Sequence, residues 1–296
     1  MRRQRRLNSI ILIIALAVSM IGFNTATALA SYSIGFSNSD IQITSPSTSG
    51  STYDGVLEVA GTSRLQKVWF AVRGPQGELI TYPANVQGGQ FRLNMYLRFG
   101  SGQYTIWAGA NNTQFDGSIR FEINNVNQDL TRYTTPSAYV DSDNPAITGL
   151  VKSIIKPGMT DVEKLKTIHD WVAKNISYDY QQYLNGENRM VPASQTLSER
   201  TGVCRHYAFL VAAMCRAAGL PAKVVYGDAA SDGNWESQNH AWNEVYAAGR
   251  WVSVDATWDA GYIKGTKFVF SYSAKYLNPN ATTFAGTHRN AVYTVH

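Results

Sequence analysis

The stretch Thr201-Gly-Val-Cys-Arg-His-Tyr-Ala-Phe-Leu-Val-Ala-Ala-Met-Cys-Arg-Ala-Ala-Gly219 holds the element around which the chain is organised. After Cys204 it is rich in Ala, Leu and Met, and Gly219-Leu-Pro221 closes it with a helix stop. The composition predicts a buried helix entered at Thr201 and ended at Gly219, with Cys204 in its first turn. There the unsatisfied backbone N–H groups and the positive end of the helix dipole favour a thiolate, the form of cysteine that attacks carbonyl carbon. The thiol still needs a base from elsewhere in the chain.

The second cysteine of the helix is Cys215. Eleven residues on, it lies about 20° around the axis from Cys204 but roughly 16 Å along it, far beyond the separation of about 7 Å that a disulfide tolerates. The two do not pair with each other. Cys215, among Ala212, Ala213 and Met214, reads as a small core residue.

The chain has 296 residues, 44% of them hydrophobic, enough for two domains or one large one. Its start has three parts: Arg2, Arg3, Arg5 and Arg6, an apolar run over Ile10–Phe23, and Ala28-Leu29-Ala30 before Ser31. This is the pattern of a secretory signal peptide over residues 1–30, cleaved after Ala30; the apolar run is short for a retained membrane anchor. Without the four leader arginines the formal charge falls from +5 to +1, so no dense basic stripe remains for nucleic acid.

Residues 31–52 are rich in Ser, Thr, Asn and Gly and read as a spacer. Over 53–126, short runs of Val, Phe, Tyr, Trp and Ile follow one another: Val56–Ala60, Lys67–Arg73, Glu78–Pro83, Gln90–Leu97, Gln103–Ala108 and Ser118–Ile123. Gly-containing turns separate them, which predicts an antiparallel β-sandwich similar to Ig-like modules. Its aromatic residues are read as core and surface of a spacer domain in preference to a carbohydrate platform. Residues 127–160 connect, with a short helix at Ile147–Ile155. The last domain, 161–296, opens with a helix over Asp161–Ser177 that sets Val162, Leu165, Ile168, Trp171, Val172 and Ile176 on one side and is capped by Thr160 or Asp161. His169 beside that stripe is structural or on the surface. Beyond Gly219 come a strand at Ala222–Gly227, a polar loop at Asp228–Gln238, and a hairpin of His240–Ala247 and Arg250–Thr257 around Ala248-Gly249. A further strand is expected at Lys267–Tyr272. A central helix followed by antiparallel strands is an α+β arrangement.

Of the histidines, His206 points about 200° away from Cys204 on the same helix, and His288 and His296 lie in the tail and read as surface residues. His240 opens a strand, and Asp255 ends the next one. Adjacent antiparallel strands place these two side by side, with Asp255 holding one ring nitrogen and the other facing the thiol. A nucleophile, a base and an orienting carboxylate form the triad of a thiol acyl-transfer enzyme.

Three blocks carry a resemblance: Gly202-Val-Cys-Arg-His-Tyr-Ala, Asn239-His-Ala-Trp-Asn-Glu-Val and Trp251-Val-Ser-Val-Asp-Ala-Thr-Trp-Asp. They are similar to the ordered blocks of the transglutaminase-like superfamily, and the likeness covers about residues 136–272. It implies Cys204 as nucleophile, His240 as base and Asp255 as orienting acid. The implied fold is α+β, a papain-like or transglutaminase-like core with the cysteine helix packed on an antiparallel sheet, behind an N-terminal all-β sandwich. One departure is His206, where relatives often carry a small residue; it bears on substrate shape near the site. Gln195 and Trp242 are candidates for oxyanion or substrate contact, and Asp259 is read as structural. No metal-ligand cluster and no calcium loop is evident, so no cofactor is expected. The expected substrates are extracellular or cell-wall proteins and peptides, met by a secreted or cell-envelope protein with no stable membrane partner once the signal is cleaved. The triad alone leaves cross-linking and hydrolysis open. The rival reading is a non-catalytic envelope binding or adhesion module that retains the fold.

Overall fold

A computed structural model describes residues 36–128, 131–230, 239–294 and 296. The expected signal peptide and most of the Asp228–Gln238 loop lie outside the described residues.

The first domain is built from strands β1 (Ile41–Ser45), β2 (Ser51–Tyr53), β3 (Val56–Ser63), β4 (Lys67–Arg73), β5 (Leu79–Asn85), β6 (Gln90–Tyr96), β7 (Gly102–Gly109) and β8 (Ile119–Asn125). They form a three-stranded sheet, β1-β3-β6, and a five-stranded sheet, β2-β8-β7-β4-β5. Alternate residues of both, among them Leu57, Val59, Phe70, Met95, Ile106 and Phe121, share one core, so the sheets pack face to face as a sandwich. Pro83 has no N–H to give to a ladder, and β5 is an edge strand, where that loss is tolerated. Two strands, β1 and β2, lie inside the stretch read as a spacer. Ile41 and Ile43 on β1 are buried, and two apolar residues at alternate positions are enough to seat a strand that few other signals announce.

The second domain follows as helix α1 (Pro145–Ile154), α2 (Asp161–Asn175), β9 (Ser177–Tyr178), α3 (Tyr180–Leu184), α4 (Ala193–Glu199), β10 (Thr201–Gly202) and α5 (Cys204–Ala217). Then come β11 (Ala222–Ala229), β12 (Asn239–Ala247), β13 (Arg250–Val254), α6 (Ala256–Ala260), β14 (Gly261–Lys264), β15 (Lys267–Phe270), α7 (Ala281–Ala285) and β16 (His288–Tyr293). Its core begins before residue 161, because Tyr139, Val140, Ile147 and Val151 pack with α5.

Helix α2 starts at a reciprocal capping box. The Thr160 hydroxyl accepts from the Glu163 N–H, and the Glu163 carboxylate accepts from the Thr160 N–H. Its buried face is Leu165, Ile168, His169, Val172 and Ala173, with Val162 turned outward. Helix α5 is buried along nearly its whole length and ends at Gly219, whose φ of +81° suits glycine. It lies on an antiparallel sheet of order β13-β12-β11-β16. The β12–β13 hairpin turns at Ala248 (φ 51°) and Gly249 (φ 78°), both left-handed as a type I′ turn requires.

Helix and sheet are joined by Asn243 on β12. Its Nδ2 donates to the carbonyl of Ala208 on α5 (2.9 Å) and to that of Lys223 on β11 (3.0 Å) from a site only 1% exposed. The tail differs from its sequence reading in two ways. The Lys267–Tyr272 strand is β15, and it pairs with β14 as a separate hairpin. A strand that the sequence did not announce, β16, completes the main sheet by pairing with β11.

Truncating Asn243 to Ala removes both bonds, one of them buried, that tie α5 to the sheet. Unfolding in urea is expected to show a loss of about 2 kcal/mol with an unchanged m-value; a loss below about 0.5 kcal/mol would mean that Asn243 does not join the layers.

Candidate active site

The site is assembled at the N-terminus of α5. Val203 is the N-cap and has no side chain able to cap the helix. His206 supplies the missing acceptor: its Nδ1 takes the Val203 N–H (3.1 Å), and its Nε2–H donates to the Arg189 carbonyl (2.8 Å). A nitrogen that accepts carries no proton, so the ring is the neutral Nε2–H tautomer, and burial, which depresses its pKa, favours that form. Gly202 makes the arrangement possible. A Cβ there would lie 2.6 Å from the His206 Cβ and 2.8 Å from its Nδ1. His206 is therefore a buried cap of the cysteine helix that also ties down the 187–189 segment, and at 1% exposure it presents no surface to a substrate.

Cys204 is the first residue of α5 and half-buried, whereas Cys215 is fully enclosed; both are free thiols. Burial pushes the Cys204 thiol up. The hydrogen bond and charge of His240, the Ala241 backbone N–H and the charge of Arg205 together outweigh it and hold the thiol below its ordinary range. At Cys215 burial outweighs the neighbouring charge of Arg216 and pushes the thiol up.

His240 stands at the start of β12, opposite Gly227 of β11. Burial lowers its basicity, but the Asp255 carboxylate beside it and the Cys204 thiolate raise it further, to about 10. Asp255 lies just past the end of β13 and is the N-cap of α6, one step beyond the strand position read from sequence. Its Oδ1 accepts from the N–H groups of Thr257 (2.9 Å) and Trp258 (3.2 Å), and its Oδ2 lies 2.8 Å from His240 Nε2. Burial raises the carboxyl's pKa, but the adjoining His240 and then His288 pull it well below the usual carboxylate range. An ionised carboxylate only accepts, so His240 carries its proton on Nε2 and turns Nδ1 to the thiol.

Trp242 is 3% exposed and stacks beside His240 (6.3 Å, 24°), in space left by Gly227, where a Cβ would sit 2.5 Å from the indole. It backs the imidazole, in contrast to the substrate contact expected of it. The Gln195 amide donates to Glu199 (2.8 Å), itself paired with Arg189, so the N–H sought for an oxyanion is committed on the surface of α4.

Three groups were missed. His288, read as a surface residue, has a fully buried side chain with Nε2 3.2 Å from the same Asp255 Oδ2. Tyr178 on β9 and Tyr226 on β11 lie within reach of the Cys204 charge; burial first, and then that charge, raise both phenols and keep them protonated. Nothing in the local pattern around His288 announces burial, since β16 is exposed at its next five positions. His296 is also not a surface residue: its ring packs edge-on against Tyr139 and Phe209.

His240, Asp255 and His288 bring ligand atoms within 4.8 Å of one another, a spacing that would also suit a small metal ion. The contacts to Asp255 are also hydrogen-bond distances, and His288 has a separate partner for Nδ1, Thr287 Oγ1 at 2.9 Å. A second buried pair, His169 Nε2 with Asp259 Oδ2 (3.0 Å), joins α2 to α6. Asp259 also accepts from the Ser273 hydroxyl and the Tyr276 N–H, a structural role for both members.

With this geometry in place, the comparisons with known proteins are specific. The sequence pattern of the transglutaminase-like superfamily matches residues 148–256. Kyphoscoliosis peptidase of Mus musculus is 31% identical over 147 residues, 47% of this chain and 22% of that protein. Hillarin of Drosophila melanogaster is 29% identical over 154 residues, 46% of this chain and 18% of that protein. The chain thus spans about a fifth of the length of these relatives. The red sea bream transglutaminase structure is 10% identical, covering 71% of this chain and 49% of its own at a TM-score of 0.30, and carries no part of the assignment. The matched pattern runs from within α1 to just past Asp255, so the likeness to the transglutaminase-like superfamily covers the part of the second domain that holds Cys204, His240 and Asp255.

Proposed function

We propose that the protein is a cysteine-dependent acyl-transfer enzyme acting on protein or peptide amides. The observation that carries the reading is one bond: Asp255 holds His240 Nε2 at 2.8 Å, which leaves Nδ1 for a thiol at a helix start. His240 Nδ1 takes the Cys204 proton, and the sulfur attacks the amide carbonyl carbon. A C–S bond forms while the carbonyl π pair moves to oxygen. The backbone N–H of Cys204, in the first turn and free of the helix ladder, is the natural donor to that oxyanion. When the oxygen pair returns, the C–N bond breaks and the imidazolium gives its proton to the leaving amine or ammonia. In the second half an amine or water passes its proton to Nδ1 and attacks the thioester, and the thiolate leaves. Transfer to an amine is cross-linking, and transfer to water is hydrolysis.

Kyphoscoliosis peptidase is a peptidase by name, which supports an amide as the bond attacked. The leader-like residues 1–30 support export, so the substrates we propose are proteins or wall peptides outside the cell or in its envelope.

The central test is a paired assay of wild type and Cys204→Ala, scoring amine incorporation into a glutamine-bearing protein against release of new peptide termini. One of the two activities is expected in the wild type and none in the variant; activity that survives in the variant contradicts the mechanism. Asp255→Asn keeps the shape but disfavours the Nδ1-facing tautomer, and its kcat is expected to fall by about 10³–10⁴-fold. An Asp255→Asn enzyme within tenfold of wild type would remove Asp255 from the triad.

The reactive state pairs a thiolate with an imidazolium. It is lost as pH falls through the lowered Cys204 value, because the sulfur is protonated. It is lost again as pH rises through the His240 value of about 10, because the proton needed by the leaving group is gone. The profile of kcat/KM should be a bell, with its acid limb below the ordinary thiol range and its alkaline limb near 10. A single rise centred in the ordinary thiol range would show an unactivated cysteine.

A further inference from the structure

We infer that His288 is a positioning residue of this site, a second imidazole that fixes Asp255 and sets how tightly the carboxylate holds His240. The inference rests on the acyl-transfer reading and extends its hydrogen-bonded chain by one member.

The ring of His288 is enclosed on every side. It stacks on Phe284 at 3.9 Å and 7°, lies 4.8 Å from Trp258, meets Trp242 edge-on at 5.1 Å and has Tyr276 at 5.7 Å. A side chain chosen only to fill this box would be apolar, since a buried imidazole must find partners for both nitrogens. It has them. Nδ1 meets the Thr287 hydroxyl at 2.9 Å, and Nε2 meets Asp255 Oδ2 at 3.2 Å. Because the carboxylate accepts, His288 Nε2 donates, whatever the state of Nδ1.

The consequence is a competition for one oxygen. Oδ1 is taken by the Thr257 and Trp258 N–H groups, so the carboxylate cannot rotate, and His240 and His288 share Oδ2. The His288 N–H draws electron density from Oδ2 and weakens its hold on the His240 proton. Without it, Asp255 is a stronger acceptor for His240, and Oδ2 is positioned by one imidazole in place of two. The other charged or titratable groups around this pair remain in place when His288 is replaced: Cys204, Arg205 and Tyr207 on α5, Tyr178 on β9 and Tyr226 on β11.

Two amides separate the roles of the two nitrogens. His288→Gln can put an N–H where Nε2 was, whereas His288→Asn reaches only the Nδ1 position, toward Thr287. The readouts are the pH profile of Cys204 alkylation by iodoacetamide, which needs no natural substrate, and kcat in the paired assay. In His288→Asn the alkylation step assigned to His240 is expected to move to higher pH by about half a unit or more. Its kcat is expected to fall by about 10–100-fold with KM little changed, the loss of one hydrogen bond to a charged group. His288→Gln is expected to restore kcat to within a few fold of wild type and to return the step. The inference is overturned if His288→Asn keeps the wild-type step and rate, or if both variants lose rate equally with the step unmoved, since either makes His288 packing alone. Failure of the acyl-transfer reading is a different result, an undiminished Cys204→Ala activity.

Discussion

A carboxylate enters a protein interior only when its charge is answered on every side, and Asp255, at 1% exposure, meets that condition with four N–H donors. Two come from the start of α6 and two from imidazoles. The site follows from this satisfaction. An Asp255 held ionised keeps the His240 proton on Nε2, an Nε2–H tautomer leaves Nδ1 without that proton, and the proposed chemistry has Nδ1 take the Cys204 proton. Each group is perturbed by its neighbour in the direction that the next one requires: Asp255 down, His240 up, Cys204 down.

The surrounding fold holds these groups in place through small clearances. Gly202 gives the space for His206 to cap α5, and Gly227 gives the space for the Trp242 indole behind His240. Asn243 joins α5 to β11 and β12, so the helix bearing the thiol and the strand bearing the base belong to one unit. The second His–Asp pair, His169 with Asp259, anchors α6 from behind and fixes the segment that Asp255 caps. Its two residues resemble the first pair in type, but their partners are the Ser273 hydroxyl, the Tyr276 N–H and Asp170.

The legible part of the molecule is the part written in local pattern. The strand runs of the sandwich, the capped α2, the Cys204 helix and the β12–β13 hairpin each have a periodicity or a punctuating residue, and the structure has each of them, although α5 starts at Cys204 after β10 and not at Thr201, and β13 ends at Val254 and not at Thr257. The pairing of His240 with Asp255 was legible because adjacent strands have few ways to place a histidine and an aspartate side by side. The structure pairs them at 2.8 Å. His288 was not legible. It opens a strand whose remaining residues are exposed, and its burial comes from Phe284, Trp242, Trp258 and Tyr276, which are contributed by separate segments. Gln195 is a neutral donor on the approach to the cysteine helix, and Trp242 lies in the histidine block. Type does not reveal that Glu199 captures the Gln195 amide or that the indole lies behind His240. Strand β1 escaped notice because two buried isoleucines in a Ser- and Thr-rich stretch are a faint signal.

The account stands or falls on whether Cys204 forms a thioester through His240. Brief exposure of the folded protein to p-nitrophenyl acetate near neutral pH, followed by peptide mass analysis, measures this step without a natural substrate. The account predicts rapid acetylation of Cys204, reversed by hydroxylamine and abolished by His240→Ala, with Cys215 unmodified. Acetylation of Cys204 no faster than in the unfolded chain, or at an unchanged rate in His240→Ala, would contradict it.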